Sequence, residues 1–180
     1  MILPEGAGER GELSPPNGLS ETASLREAVE LRAVLGHFAT GVVVVAGVSP
    51  RGALGLTCQS FVSLSLEPPL VAVAPARTSS SWPAIHATGA FCINVLSQGQ
   101  EALARTFARR GGDKFAGVGW SATKTGSPRL DDALAWVDCR LVDAHDGGDH
   151  LLVVGRIVDL GIGSGDPLVF YRGGFGTFRT

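Results

Sequence analysis

The sequence predicts a mainly β fold with flanking helices, a small closed or partly closed barrel in one domain over residues 24–180. Three observations carry that reading. Six or more short apolar segments recur at hairpin spacing with few helical stretches between them. Glycine reaches 25 of 180 residues, about twice the usual share, which favours turns over long helices. Apolar residues make up 44% and charged residues 18%, enough for one sizeable core in a chain too short for two ordinary domains.

Residues 1–23 carry Pro4, Pro15 and Pro16 among polar neighbours without periodicity, and read as a disordered leader. Ser24 and Glu27 then have capping-box spacing, and Ala28, Leu31, Leu35 and Phe38 recur at helical intervals, which predicts a helix over 24–38. The β-branched run Val42–Val48 is a strand, closed by a turn at Ser49-Pro50-Arg51-Gly52. Residues 54–66 read as a second strand whose end alternates apolar positions with Ser63 and Ser65. Leu70–Ala74 is a third, buried strand after Pro68-Pro69. Ser81-Trp82-Pro83 opens a short helix ending near Gly89, with proline in the first turn, where a missing donor costs nothing. Phe91–Leu96 is a strand and Gln98–Arg110 a helix, followed by a loop over 111–132. Trp136–Val142, Leu151–Leu160 and Leu168–Tyr171 complete the strands.

Charge and composition exclude some functions. A net charge of −2 and pI near 6.1 leave no basic surplus for a phosphate backbone, so no nucleic-acid partner is expected. No apolar run approaches the ~20 residues that span a bilayer, and the start carries Glu5, Glu9 and Glu12 rather than a basic, then apolar, signal. The expectation is a cytoplasmic protein without membrane contact. Cys58, Cys92 and Cys139 show no metal-ligand spacing and read as reduced, buried thiols.

Three constellations could carry chemistry. Arg77-Thr78-Ser79-Ser80-Ser81 precedes a predicted helix start, where hydroxyls and a guanidinium suit a phosphate ester but equally suit helix capping. Thr57-Cys58-Gln59-Ser60 could bond the polar rim of a flat heteroaromatic, or could be a solvated barrel rim. His145-Asp146-Gly147-Gly148-Asp149-His150 concentrates imidazoles and carboxylates. A metal is the tempting occupant, but six consecutive loop residues rarely wrap one ion, so a turn that sends His150 towards a pocket is preferred and no metal is expected. Neither a phosphate-binding GxxxxGK[ST] loop, a GxSxG elbow nor a strand-to-helix GxGxxG motif is present.

Taken in order, FATG at 38–41, GLTCQSFVSLSLEPPL at 55–70, SSSW, FCINVL at 91–96, DKFAG at 113–117, HDGGDH and PLVFYRGGFG at 167–176 resemble the flavin reductase family with its FMN-binding split barrel. The likeness is greatest to reductase components of two-component flavin monooxygenases serving aromatic and steroid-ring hydroxylases. It implies an NAD(P)H-dependent reductase that transfers hydride to FMN or FAD and hands reduced flavin to a monooxygenase, and it implies a homodimer. NADH or NADPH would be the donor. A flavin-retaining oxidase or oxygenase of the same fold, or a flavin-binding domain without turnover, are the alternatives.

By the same resemblance Thr57, Cys58, Gln59 and Ser60 would meet the isoalloxazine edge, with Ala74, Pro75 and Ala76 lining it. Arg77, Ser79, Ser80 and Ser81 would meet the flavin phosphate. Phe107, Lys114 and Phe115 would close the site, Tyr171 would lie near the flavin, and His150 would sit by the nicotinamide as the catalytic residue.

Overall fold

A computed structural model describes residues 21–178, so the expected leader falls almost wholly outside the described residues. Two units appear, divided between Leu35 and Gly36. The first holds helix α1, Glu21–Leu35, which starts earlier than the expected Ser24 and leaves Val29, Leu31, Val34 and Leu35 exposed.

The second unit, from Gly36 onward, is built on an antiparallel seven-stranded sheet. Its strands are β2 (Val43–Ser49), β3 (Gly52–Cys58), β4 (Val62–Leu66), β5 (Pro69–Val73), β6 (Ala90–Val95), β9 (Ala135–Gly147) and β10 (His150–Ile162), in the order β3-β2-β6-β9-β10-β5-β4. A separate three-stranded sheet joins β1 (Thr40–Gly41), β11 (Leu168–Tyr171) and β12 (Gly174–Thr177). The sheets do not close on each other, which makes the barrel a split one.

The valine run of β2 explains where the core sits. Alternate side chains of a strand point to opposite faces. Val43 and Val45 therefore join Leu56, Val71, Val73, Trp82, Phe91, Ile93 and Val153 on one face, while Val42, Val44 and Ala46 join Leu96, Ala104, Phe107, Leu130 and Leu168 on the other. Both faces of β2 are dry from Val43 to Gly47. Helix α2, Trp82–Thr88, buries Trp82 and Ile85 in the first cluster and ends at Gly89, whose φ of 69° is the left-handed geometry glycine adopts without strain. Helix α3, Glu101–Ala108, follows a 3-10 turn over Gln98–Gln100 and buries Ala104 and Phe107 in the second.

Two expectations change. The stretch 54–66 is not one strand: it breaks after Cys58, and β3 and β4 lie at opposite edges of the large sheet. The expected loop 111–132 contains a hairpin of β7 (Trp120–Ala122) and β8 (Pro128–Leu130). Two fully buried polar side chains pin it to the sheet. Asn94 donates to the Pro128 carbonyl at 3.1 Å and accepts from the Leu130 N–H at 2.8 Å. Asp138 accepts from the Thr125 N–H at 2.9 Å and from the Thr125 hydroxyl. Buried polar groups are costly unless paired, and these pairs are complete enough to hold the hairpin in place.

Candidate active site

A cavity of about 780 Å³ opens between the end of β3, the 74–80 segment after β5, the C-terminal end of α3 and the small sheet. Its volume lies in the range of small-molecule and cofactor sites. Thr57, Cys58, Gln59 and Ser60 line one wall, and Ala74, Ala76, Ser79 and Ser80 continue it. Phe107, Lys114 and His150 reach it from other elements. Residues far apart in sequence thus meet at one surface.

Within the Thr57–Ser60 run the side chains divide their tasks. The Thr57 hydroxyl donates to the Ala104 carbonyl at 2.7 Å and so ties β3 to α3. The Ser60 hydroxyl accepts from the Ala74 N–H at 2.8 Å and donates to the Ala74 carbonyl at 3.3 Å, clamping the two walls together. Gln59 is exposed and free to bond a ligand. Burial pushes the Cys58 thiol up to about 12, so this cysteine stays protonated and is no nucleophile.

Five expected site residues lie off the cavity surface, each for a visible reason. Ser81 is buried, with its hydroxyl 3.5 Å from the Lys114 ammonium. Phe115 packs edge-on behind Phe107 at 5.0 Å between ring centroids. Tyr171 follows cavity-lining Phe170 in β11, so strand alternation turns it away, and it packs edge-on against His37 at 6.2 Å. Pro75 is buried and offers its carbonyl to the Leu151 N–H at 3.0 Å. Arg77 turns to the β9–β10 hairpin, where its Nε donates to the Gly148 carbonyl at 2.8 Å and its guanidinium pairs with Asp146 at 2.9 Å.

The 77–81 turn divides its hydroxyls between the start of α2 and the cavity. Ser79 Oγ accepts from the Ser81 and Trp82 N–H groups at 3.3 and 3.2 Å, which caps the start of α2. Thr78 and Ser80 are exposed at the cavity.

Several lining residues carry a signal that the sequence reading passed over. Arg105, Arg109 and Arg110 recur along and just beyond α3 and bring three guanidinium groups to the rim, although Arg109 and Arg110 read only as a helix stop. Arg105 pairs with Glu101 at 2.7 Å and lies 4.8 Å over the Phe175 ring. Phe170 and Phe175 supply an aromatic wall, their rings 5.1 Å apart and edge-on.

Lys114 is a brace as much as a lining residue. Its ammonium donates to the Gly55 and Phe107 carbonyls at 3.1 and 3.0 Å, and partial burial holds it below the usual lysine range. His150 faces the cavity with Nδ1 2.7 Å from the Asp149 carboxylate. That contact draws Asp149 below the usual carboxylate range. Among the described residues no group of three metal-ligating side chains converges.

Apolar side chains, hydroxyls, guanidiniums and an imidazole thus line one cavity, a lining that can take a flat ring bearing an anion. The family model for the flavin reductase like domain matches residues 35–179. The chain belongs to the flavin reductase family.

Among its relatives is the reductase subunit HsaB of a flavin-dependent monooxygenase from Rhodococcus jostii, 48% identical over 143 residues that cover 79% of this chain and 73% of that protein. A nitrilotriacetate monooxygenase component B homologue from Mycobacterium thermoresistibile superposes with a TM-score of 0.84 at 42% identity, covering 87% of this chain and 89% of that one. An NADH:FAD oxidoreductase of Streptomyces globisporus, solved with NAD and FAD fragments, superposes with a TM-score of 0.80 at 33% identity over 86% of this chain and 94% of that one.

Proposed function

We propose that this flavin reductase family member uses NADH or NADPH to reduce FMN or FAD and supplies the reduced flavin to a partner monooxygenase. The observation that carries the proposal is the single cavity that joins the Gln59 edge, the Thr78 and Ser80 hydroxyls, the α3 guanidiniums and His150. It agrees with the names of relatives that serve monooxygenases and with a similar structure solved with fragments of both nucleotides.

The residues present fit a flavin. Small Ala74 and Ala76 leave a slot beside Leu56 and Phe107 for the ring, and Gln59 can bond its polar edge. Thr78, Ser80, Arg109 and Arg110 hold the anionic end, where guanidinium gives charge-assisted bonds. When bound, the nicotinamide supplies a hydride to the flavin. The protein's part is to stack and orient two rings, and His150 orients the nicotinamide carboxamide. The protonated Cys58 thiol is consistent with a site that needs no covalent step of its own.

The proposal extends to a cytoplasmic homodimer. Three free, buried cysteines suit a reducing compartment. The edge strand β4 exposes Val62, Leu64 and Leu66, an apolar edge that a second copy would cover.

The test is a steady-state assay crossing NADH and NADPH with FMN and FAD; absence of nicotinamide oxidation in every combination would overturn the proposal. Two serines separate phosphate binding from capping. Ser80→Ala should weaken FMN about fivefold while leaving riboflavin unchanged, as expected for one lost hydrogen bond to a charged group. Ser79→Ala should instead lower thermal stability through the lost cap, by about 1 kcal/mol. Fluorescence titration with both flavins and thermal melts check the pair, and equal loss of FMN and riboflavin in Ser80→Ala would remove Ser80 from the phosphate site.

A further inference from the structure

We propose that Arg77 is a positioning residue for His150, not a flavin-phosphate ligand. The proposal rests on the reading of the cavity as a flavin and nicotinamide site. Although Arg77 stands in the hydroxyl-rich turn, it does not line the cavity. Its bonds run to the tip of the β9–β10 hairpin. The backbone N–H donates to the Asp149 carbonyl at 2.9 Å, Nε donates to the Gly148 carbonyl at 2.8 Å, and the guanidinium meets the Asp146 carboxylate at 2.9 Å. Asp146 in turn accepts from the Gly148 N–H at 2.9 Å, so the guanidinium closes a ring of bonds around the turn.

Within the hairpin the β9–β10 ladder runs to the Gly147–His150 pair, and what ties that tip to the rest of the fold is the 75–77 segment. Residues 145–149 are exposed and bury no apolar side chain. His150 is the next residue, and its backbone bridges to Ala76, Arg77's own neighbour. The flavin-side segment and the imidazole are therefore fastened to each other at one point. A planar fork that donates in two directions from one side chain suits this task, and neither lysine nor alanine reproduces it. An exposed ion pair alone would hold little, but here it acts with the Nε bond and two backbone bonds.

The experiment compares Arg77→Ala, Asp146→Ala and the double variant with the unaltered protein in four readouts: amide hydrogen exchange over 146–151, KM for NADH, the FMN-to-riboflavin affinity ratio, and Tm. Loss of the fork should speed exchange at the hairpin tip alone and raise the NADH KM about tenfold. The affinity ratio and Tm should stay unchanged. The double variant should lose less than the sum of the two single changes, because they share the Arg77–Asp146 link. Selective loss of FMN over riboflavin would make Arg77 a phosphate ligand and overturn the proposal. Unchanged exchange at the tip would overturn it too, as would a general fall in Tm with exchange rising throughout the sheet. Since exchange is read without turnover, an unaltered protein that fails to reduce flavin would sink the functional reading while leaving the strut itself decided by exchange.

Discussion

Phe107→Ala should unfold the protein about 3–5 kcal/mol more easily, the cost of deleting a fully buried aromatic ring and leaving its cavity behind. Phe107 is 1% exposed and stands where three parts of the site meet. Its ring packs against Phe115 and abuts the backbone of Gly55 so closely that a Cβ added there would lie 2.5 Å from a ring carbon. Its carbonyl takes a bond from Lys114, and its neighbour Ala104 takes the bond from Thr57. A ring lost here therefore loosens α3 as well as the cavity wall that Phe107 forms. In a chain of this size the loss corresponds to a fall in Tm on the order of 10 °C, read by a thermal melt. Phe107→Leu should recover more than half of it. A melt unchanged by the alanine substitution would mean that the α3 contact with the sheet does not hold the site together.

His150→Ala should lower kcat/KM for NADH tenfold or more while leaving flavin affinity within about twofold, the size expected when one oriented hydrogen bond to a reacting ligand is lost. The imidazole reaches the cavity from the start of β10, beside the 75–77 segment that its hairpin bonds. A loss confined to NADH use is what the role proposed for His150 at the nicotinamide predicts. Steady-state kinetics with flavin held saturating, together with a flavin titration, check both halves. Equal loss of flavin and NADH affinity would count against a role confined to the nicotinamide.

The parts of the fold written in local pattern were legible in the sequence. The valines of β2, the proline at the start of α2, and the strands after Ala90 and Ala135 all follow from periodicity and capping chemistry. The break between β3 and β4 was not, because period-two alternation through Phe61–Leu66 continues whether or not the chain changes sheet edge. The Ser60 clamp on Ala74 accompanies the change, a contact between residues 14 apart that no local pattern shows. The β7–β8 hairpin was equally hidden, since it is held by Asn94 and Asp138 from distant strands and shows little apolar pattern of its own.

The site divides along the same line. The Thr57–Ser60 wall, Ser79, Ser80, Phe107, Lys114 and His150, drawn from separate motifs, meet at one cavity. Arg77 illustrates the limit of reading by neighbourhood. It adjoins a hydroxyl run, yet its guanidinium is spent on a hairpin some 70 residues away, with |i−j| of 71 for the Gly148 bond. The arginines that do line the cavity, Arg105 in α3 and Arg109 and Arg110 just beyond it, read in sequence only as helix and helix stop.

The central claim, that this chain reduces a flavin it then releases, is tested most directly by anaerobic stopped flow with NADH and a molar excess of free FMN or FAD over protein. The flavin's visible absorbance should bleach through many turnovers, with one nicotinamide oxidised for each flavin reduced. No bleaching with either flavin, or bleaching that stops at one flavin per protein chain, would contradict it.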